Sequence, residues 1–313
     1  MKAVDRWKDL LDPTRDEILA AAPRDLHPPA LERLSAPSQP DRDERPTLQS
    51  HGDYLFGVLL VPKLVDGDQL TYQEIDLIIT RHELLTVRKA APGETAYDLE
   101  PAREECRHAD SPGLIVFHVV DTIAEQFLEL VDTLHHDIDR VEDGLDPDSP
   151  TKPPDDVRGT LSLLRRQLIR LGEAVGPTRD AILRIAENRL DIEGSTEIFP
   201  PDVEVRFRDT HDKLVRAGEA LDRCRELLNS VRDYYQSLVA SEQNEATQRQ
   251  ADAATRLTII AALLLLPGLI VGVLGQNFHT PGAGTHWGFW ISLVVIGVVT
   301  VLQLAYFKRK GWI

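Results

Sequence analysis

From Leu257 to Leu274 the chain reads LTIIAALLLLPGLIVGVL, 18 residues without a charge. At a helical rise of about 1.5 Å per residue this stretch is ~27 Å long, close to the hydrocarbon thickness of a bilayer. A second uncharged run, Trp287 to Phe307, follows it, with Trp287, Trp290 and Tyr306 placed for the interfaces. The pattern predicts two transmembrane helices, about 257–275 and 287–307. Core helices of a soluble protein are the alternative, but two adjacent full-length apolar runs are rare in soluble folds.

Upstream the period is helical but amphipathic. Phe127, Leu130, Val131, Leu134, Ile138 and Val141 recur at three and four, an apolar stripe on a polar helix. The acidic, Pro-rich segment Glu142 to Asp156 breaks that helix and predicts the tip of a helical hairpin. The return helix carries Leu161, Leu164, Leu168, Leu171 and Val175. After Pro200-Pro201 a third helix is expected from near Asp202, with no breaker until Pro267. Leu214, Leu221, Leu228, Val231, Tyr235 and Leu238 form its seam. A helix of this length running into a bilayer needs partners along it, which predicts a parallel oligomer.

Before Gly113 the signals are those of strands. Tyr54 to Val61 is an apolar run expected to end at Pro62; Leu70 to Thr80 alternates in part, and Glu83 to Val87 follows. These predict a small antiparallel sheet, joined by turns at Asp66-Gly67-Asp68 and Arg81-His82. The first fifty residues, rich in Pro and charge, are expected to hold short helices at most. The fold class expected is an α+β cytosolic domain with a long stalk helix, followed by two transmembrane helices. Its divisions are 1–112 for the α/β part, 113–254 for the helical bundle and stalk, and 255–313 for the membrane part and basic tail.

Charge sharpens this division. The chain carries 51 acidic and 35 basic side chains, a formal −16. No Asp or Glu follows Asp252, while Arg256, Lys308, Arg309 and Lys310 are basic. An acidic chain is a poor partner for nucleic acid, whose phosphates need basic surface. Arg249 and Arg256 precede the first span and Lys308 to Lys310 follow the second, whereas Gln276 to His286 has no Lys or Arg. The positive-inside rule then predicts an inner-membrane, multi-pass protein with both termini cytoplasmic. The polar opening MKAVDRWKDL does not read as a signal peptide, and Cys106 and Cys224, far apart, read as reduced cytosolic thiols.

With these features in order, the chain resembles the CorA family of divalent-cation transporters over almost its whole length. Trp7-Lys8-Asp9-Leu10 with Pro13-Thr14, His27-Pro28, Asp53-Tyr54-Leu55-Phe56 and Leu84-Leu85-Thr86-Val87 match the family's N-terminal part. More specific are Leu257-Thr258-Ile259-Ile260-Ala261, Pro267, Gly272, Gly275-Gln276-Asn277-Phe278 and the closing basic tail with Trp312. The resemblance implies a homopentamer around one pore, with Gly275, Gln276 and Asn277 as the selectivity motif. It also implies Mg²⁺ as substrate and as a regulatory ligand that favours the closed state, with no organic cofactor.

The chain departs from the family pattern in three places. Gln276 stands where the family usually has Met, and the external loop lacks the acidic residue of magnesium members. Its Pro281-Gly282 is closer to the zinc-transporting ZntB branch. Ala251 occupies a position often held by Asn, while Asn244 lies one heptad earlier on the same helix face.

Steps of three and four back from Gly275 mark a pore face of Gly272, Gly268, Leu265, Ala261 and Leu257, continued by vestibule residues Ala254, Ala251, Thr247 and Asn244. This face has no charge. Mg²⁺ gives up water reluctantly, so small side chains and backbone carbonyls suit its passage, with Leu257 and Leu265 gating by dewetting. Gly268 and Gly272 also read as ordinary close helix packing, and Asn277 as a plain helix C-terminus.

His279 and His286 flank the loop and would favour Zn²⁺, although loop histidines are more often simply solvated. The same bland reading applies to His135, His136 and Asp139, and to the acidic hairpin tip. No GxxxxGK[ST] and no catalytic constellation stands out, so an enzyme is not expected. The function expected is potential-driven uptake of Mg²⁺, with Co²⁺ or Ni²⁺ as passengers. Its alternatives are Zn²⁺ transport and a non-conducting, membrane-anchored sensor or scaffold.

Overall fold

The computed structural model describes residues 6–23, 25–37, 45–65, 69–90, 95–106, 111–190, 198–275 and 286–312. It divides into two compact units, 1–233 and 234–313, and the division falls inside one helix.

The first unit is built on a five-stranded sheet. Its strands are β1 (Trp7–Leu11), β2 (Thr47–Ser50), β3 (Leu55–Val65), β4 (Gln69–Ile79) and β5 (Leu84–Lys89), in the order β1-β5-β4-β3-β2. The β2–β3, β3–β4 and β4–β5 pairs are antiparallel as expected; β1, which the charge-rich opening concealed, pairs parallel with β5. Trp7 faces Leu84 and Leu11 faces Arg88 in that register. The strand expected to stop at Pro62 runs on to Val65. Beyond Val58 the β2 neighbour has ended, so Pro62 sits on an edge with only Tyr72 beside it, where a missing N–H is tolerated.

Alternation along the strands gives the sheet two buried faces. Val58, Asp76 and Val87 lie abreast in adjacent strands, and Phe56, Ile78 and Leu85 form the next row. This face is covered by helices α1 (Arg15–Ala21) and α2 (Pro28–Ser35) through Ile18, Ala30, Leu31 and Leu34. Helix α1 starts in a capping box: Thr14 accepts from Glu17 N–H, and the Glu17 carboxylate accepts from Thr14 N–H at 2.8 Å.

The short helix α3 (Glu100–Glu105) leads into α4 (Pro112–Leu145), and α5 (Val157–Ala186) returns from the hairpin tip. These pack on the other face of the sheet. Phe127, Leu130, Val131, Leu134, Ile138 and Val141 are all buried, as are Leu161, Leu164, Leu168, Leu171 and Val175. Each such side chain contributes about 1.5–3 kcal/mol by leaving water. Arginines of α5 tie it to the strands: Arg184 donates to Leu48 O at 2.9 Å and Arg170 to Leu70 O at 3.0 Å.

Helix α6 (Pro201–Leu274) begins at the second proline of the Pro200-Pro201 pair. Its part in the first unit packs on α4. Phe207 meets Phe117 edge to face, and Leu214, Leu221, Leu228 and Val231 are buried. Lys213 donates to both oxygens of Asp121 at 2.9 Å and to Glu125 at 2.8 Å. Burial alone would lower the Lys213 pKa, but bonds to Glu125 and Asp121 outweigh it and hold the ammonium above its ordinary value.

The second unit contains the rest of α6 and helix α7 (His286–Arg309). Both helices are long and apolar enough to cross a membrane. In α6, Tyr235 and Leu238 are only partly covered, and every side chain from Ala240 to Ala254 is exposed. The seam read from the sequence thus ends on partly covered residues, and the polar stretch after it is exposed among the described residues.

Candidate functional site

The apolar part of α6 presents two faces. Ile259 is buried, and Thr255, Ala262, Leu263, Pro267 and Ile270 are partly covered. On α7, Gly288, Ser292, Ile296, Val299, Thr300, Gln303 and Phe307 repeat at three and four as the covered stripe. These two stripes pack α7 against α6. Among the described residues one side-chain hydrogen bond crosses between them: the Gln303 side-chain amide donates to Ala262 O at 3.1 Å. Gln303 was not among the sequence candidates. Its signal was a lone amide within the apolar run of α7.

The residues read as lining a pathway lie away from α7. Leu257 and Leu265 are each 69% exposed, two of the many exposed apolar side chains that make these helices one large apolar surface. Ala261, Gly268 and Gly272 are exposed as well, as are Asn244, Thr247, Ala251 and Ala254. The nine positions thus share exposure, and the two glycines have open space where a Cβ would stand. None carries a charge. The C-terminal end of this face is described as far as Gly275, whose N–H donates to Val271 O at 2.9 Å. Gln276, Asn277 and His279 lie outside the described residues, and His286 opens α7.

Chemically, this face offers apolar surface, small side chains and, at Asn244 and Thr247, neutral polar groups. It holds no carboxylate or thiolate that would bind a divalent ion tightly. Among the described residues, no group of three or more His, Cys, Asp or Glu is arranged to hold a metal.

Side chains considered elsewhere are engaged locally. His135 Nδ1 lies 3.2 Å from Asp139 Oδ2, and His136 Nδ1 meets Asp132 O at 2.7 Å. Of the hairpin-tip acids, Asp156 caps α5 by accepting from Gly159 N–H at 2.9 Å, and Asp137 pairs with Arg140 at 3.3 Å. Cys106 and Cys224 are free and buried. Burial pushes the Cys106 thiol up to about 12 and also raises Cys224, so both stay protonated at neutral pH.

Comparison with known proteins agrees with this layout. The family pattern of the CorA-like Mg²⁺ transporter protein matches residues 4–309. The cobalt/magnesium transport protein CorA of Thermotoga maritima is 24% identical over 305 residues, covering 92% of this chain and 77% of the relative. The zinc transport protein ZntB of Enterobacter sp. (strain 638) is 26% identical over 275 residues, covering 86% of this chain and 77% of the relative. Among solved structures, the complete CorA magnesium transporter of Methanocaldococcus jannaschii superposes with a TM-score of 0.65 at 18% identity. That superposition covers 98% of this chain and 91% of the other, and at this identity it shows a shared fold.

Proposed function

The chain belongs to the family of CorA-like Mg²⁺ transporter proteins, and from that premise we propose that it conducts a divalent cation, Mg²⁺ first, through a central pore in a homopentamer. The observation that carries this reading is the uncharged face of α6 from Asn244 to Gly272, exposed throughout at its small and bulky apolar positions. Five copies of that face around an axis would give a pathway that tolerates a hydrated ion. Asn277 amides at its outer end would accept hydrogen bonds from the ion's water shell, and Leu257 and Leu265 would close the pore by dewetting. The partly covered Tyr235 and Leu238 and the exposed stretch from Ala240 to Ala254 support the oligomer, since a helix this long with little cover among the described residues is expected to take it from another copy.

With both termini cytoplasmic, an inside-negative potential drives uptake. It contributes ~2.3 kcal/mol per charge per 100 mV, or about twice that for a divalent ion. The acidic first unit would concentrate the arriving cation, and Mg²⁺ bound there would serve as the closing signal.

A second cargo, Zn²⁺, is favoured by one feature, the pair His279 and His286 in a loop with no carboxylate. Reconstitution in liposomes with fluorescent Mg²⁺ and Zn²⁺ reporters distinguishes the cases. Mg²⁺ entry that follows the imposed potential supports the proposal, and entry of Zn²⁺ alone moves the assignment to the second cargo. Flux of neither ion leaves a membrane-anchored scaffold. Asn277→Ala is expected to abolish or sharply reduce flux, and an unchanged rate would remove Asn277 from the filter.

A further inference from the structure

The polar side chains of the two spans are not all used alike. Thr258 donates to Ala254 O at 2.9 Å, Ser292 to Phe289 O at 2.7 Å and Thr300 to Ile296 O at 2.9 Å. Each returns its hydrogen bond to its own helix, which satisfies a hydroxyl in hydrocarbon without a partner. Gln303 instead reaches from α7 to α6.

Its target lies in the turn of α6 that precedes Pro267. Pro267 has no N–H, so the carbonyl four residues earlier, Leu263 O, loses its intrahelical donor, and the proline ring crowds that carbonyl. Ala262, next to Leu263, receives the Gln303 bond. Gln303 Oε1 is buried and has no hydrogen-bond partner. A methionine of similar length would fill the position without burying an unpaired oxygen, so what distinguishes the amide is the bond made by its N–H.

We infer that Gln303 is a positioning residue for conduction: it fastens α7 to the turn of α6 just before Pro267, so α7 and the Leu257–Ala262 segment move as one body. Bending at the proline then displaces Gly268 to Gly275 relative to that body. Leu257 lies on the fastened side, and Leu265 lies between the fastening and the hinge. The inference rests on the proposal that the chain conducts, but its structural half can be read without any ion.

Two measurements on the full-length protein test it, and Gln303→Met keeps the length and apolar packing. In nanodiscs, hydrogen–deuterium exchange of the Ala262–Ile270 segment is expected to rise about five-fold or more in Gln303→Met. In a Pro267→Ala background, where the helical ladder is complete, the same substitution is expected to change exchange little. An equal change in both backgrounds, or none in either, overturns the latch. Gln303→Leu repeats the cycle should the methionine variant not incorporate.

In liposomes, Gln303→Met is expected to change the Mg²⁺ rate severalfold while the ratio of Mg²⁺ to Zn²⁺ flux stays fixed. An unchanged rate or an altered ratio overturns the positioning role. If the unsubstituted protein passes no ion, the transport proposal fails, and the exchange cycle alone decides whether the latch exists.

Discussion

The indole of Trp312 stacks on the ring of Phe307, with centroids 5.9 Å apart and planes 13° apart. The contact is part of a helix stop. Gly311 takes φ +71°, Trp312 N–H donates to Phe307 O at 3.0 Å, and Gly311 N–H donates to Lys308 O at 3.1 Å. This is the Schellman arrangement, in which the residue after the left-handed glycine packs on the last turn. Lys308 and Arg309 in that turn also favour the negative end of the helix dipole. The basic tail is therefore a built terminus of α7.

Gly311→Ala puts a Cβ into the left-handed region, at a cost of about 1–2 kcal/mol. Nothing crowds the position, so the penalty is conformational. Amide exchange of Lys310 to Trp312 in nanodiscs is expected to rise roughly five- to thirty-fold. Exchange at Ser292 to Thr300, remote along the same helix, is expected to stay as it was.

A second relationship gives the first unit its pH dependence. Asp76 is fully buried, with Lys89 Nζ 2.7 Å from its Oδ2 and 2.7 Å from Glu74 Oε1. Lys89 also donates to Arg33 O, which ties α2 to the sheet. Neither Asp76 oxygen has a hydrogen-bond partner, so the ammonium is close but out of line. Burial is the largest influence on Asp76 and raises its carboxyl above the ordinary 3.8, with Lys89 opposing it. Burial would lower Lys89, but Asp76 and Glu74 reverse that and raise it.

Both shifts have the same sign in stability. A raised carboxyl contributes fully below its ordinary pKa, and the contribution is lost as pH rises through the folded value; the raised ammonium behaves alike at alkaline pH. Lys89→Met removes the opposing charge and is expected to cost about 3–5 kcal/mol at neutral pH. It should also extend the fall in stability above the ordinary carboxyl range to higher pH, because Asp76 loses the charge that opposes its upward shift. Asp76→Asn is expected to flatten that fall. Thermal unfolding of the full chain across pH reads both effects.

Two of the glycines at tight helix contacts, Gly113 and Gly172, should respond with different severity to one methyl group. A Cβ on Gly113 would stand 2.6 Å from Ile198 O, a backbone atom held by the segment that leads into α6. Gly113→Ala is expected to cost about 1–3 kcal/mol by overpacking. At Gly172 the obstacle is the Arg225 side chain, with Leu221 Cδ2 at 3.2 Å. That guanidinium can swing away, losing its 3.1 Å bond to Leu168 O, while alanine gains about 1 kcal/mol of helix propensity. The net change is expected to be within about 1 kcal/mol, read by thermal unfolding of the two variants side by side.

How far the sequence foretold this structure depends on the range of the interactions. The stripes of α4 and α5 were legible because a helical period repeats within a few residues, and every member named from Phe127 to Val141 is buried. Strand β1 was not. Its partner β5 lies more than seventy residues later, and the Asp9 side chain is covered by residues from that distant strand, pairing with Arg88 at 2.6 Å and accepting from the Thr86 hydroxyl at 2.7 Å. Asp76 and Glu74 showed only as a break in the alternation of β4, since the lysine that answers them is on another strand. In the membrane the exposed face of α6 could be counted from Gly275, but the Gln303 bond joins residues 41 apart. Local period cannot announce such a bond.

The gate residues allow a comparison on one helix. Leu265 and Leu266 are neighbours and both are exposed, at 69% and 36%, so exposure alone does not decide which of them faces a pathway. Position does. At about 100° per residue Leu265 lies roughly 80° from Leu257 and 40° from Ala261, whereas Leu266 lies roughly 180° and 140° from them. If dewetting at the first face closes the pathway, a hydroxyl there admits water and raises the resting rate. Leu265→Ser is expected to raise Mg²⁺ flux roughly ten-fold under conditions where the parent conducts slowly, with Leu257→Ser acting in the same direction. Leu266→Ser is expected to leave the rate near that of the parent. Liposome flux of the three variants at matched incorporation makes the check, and equal rises for Leu266→Ser and Leu265→Ser would remove the gate from this face.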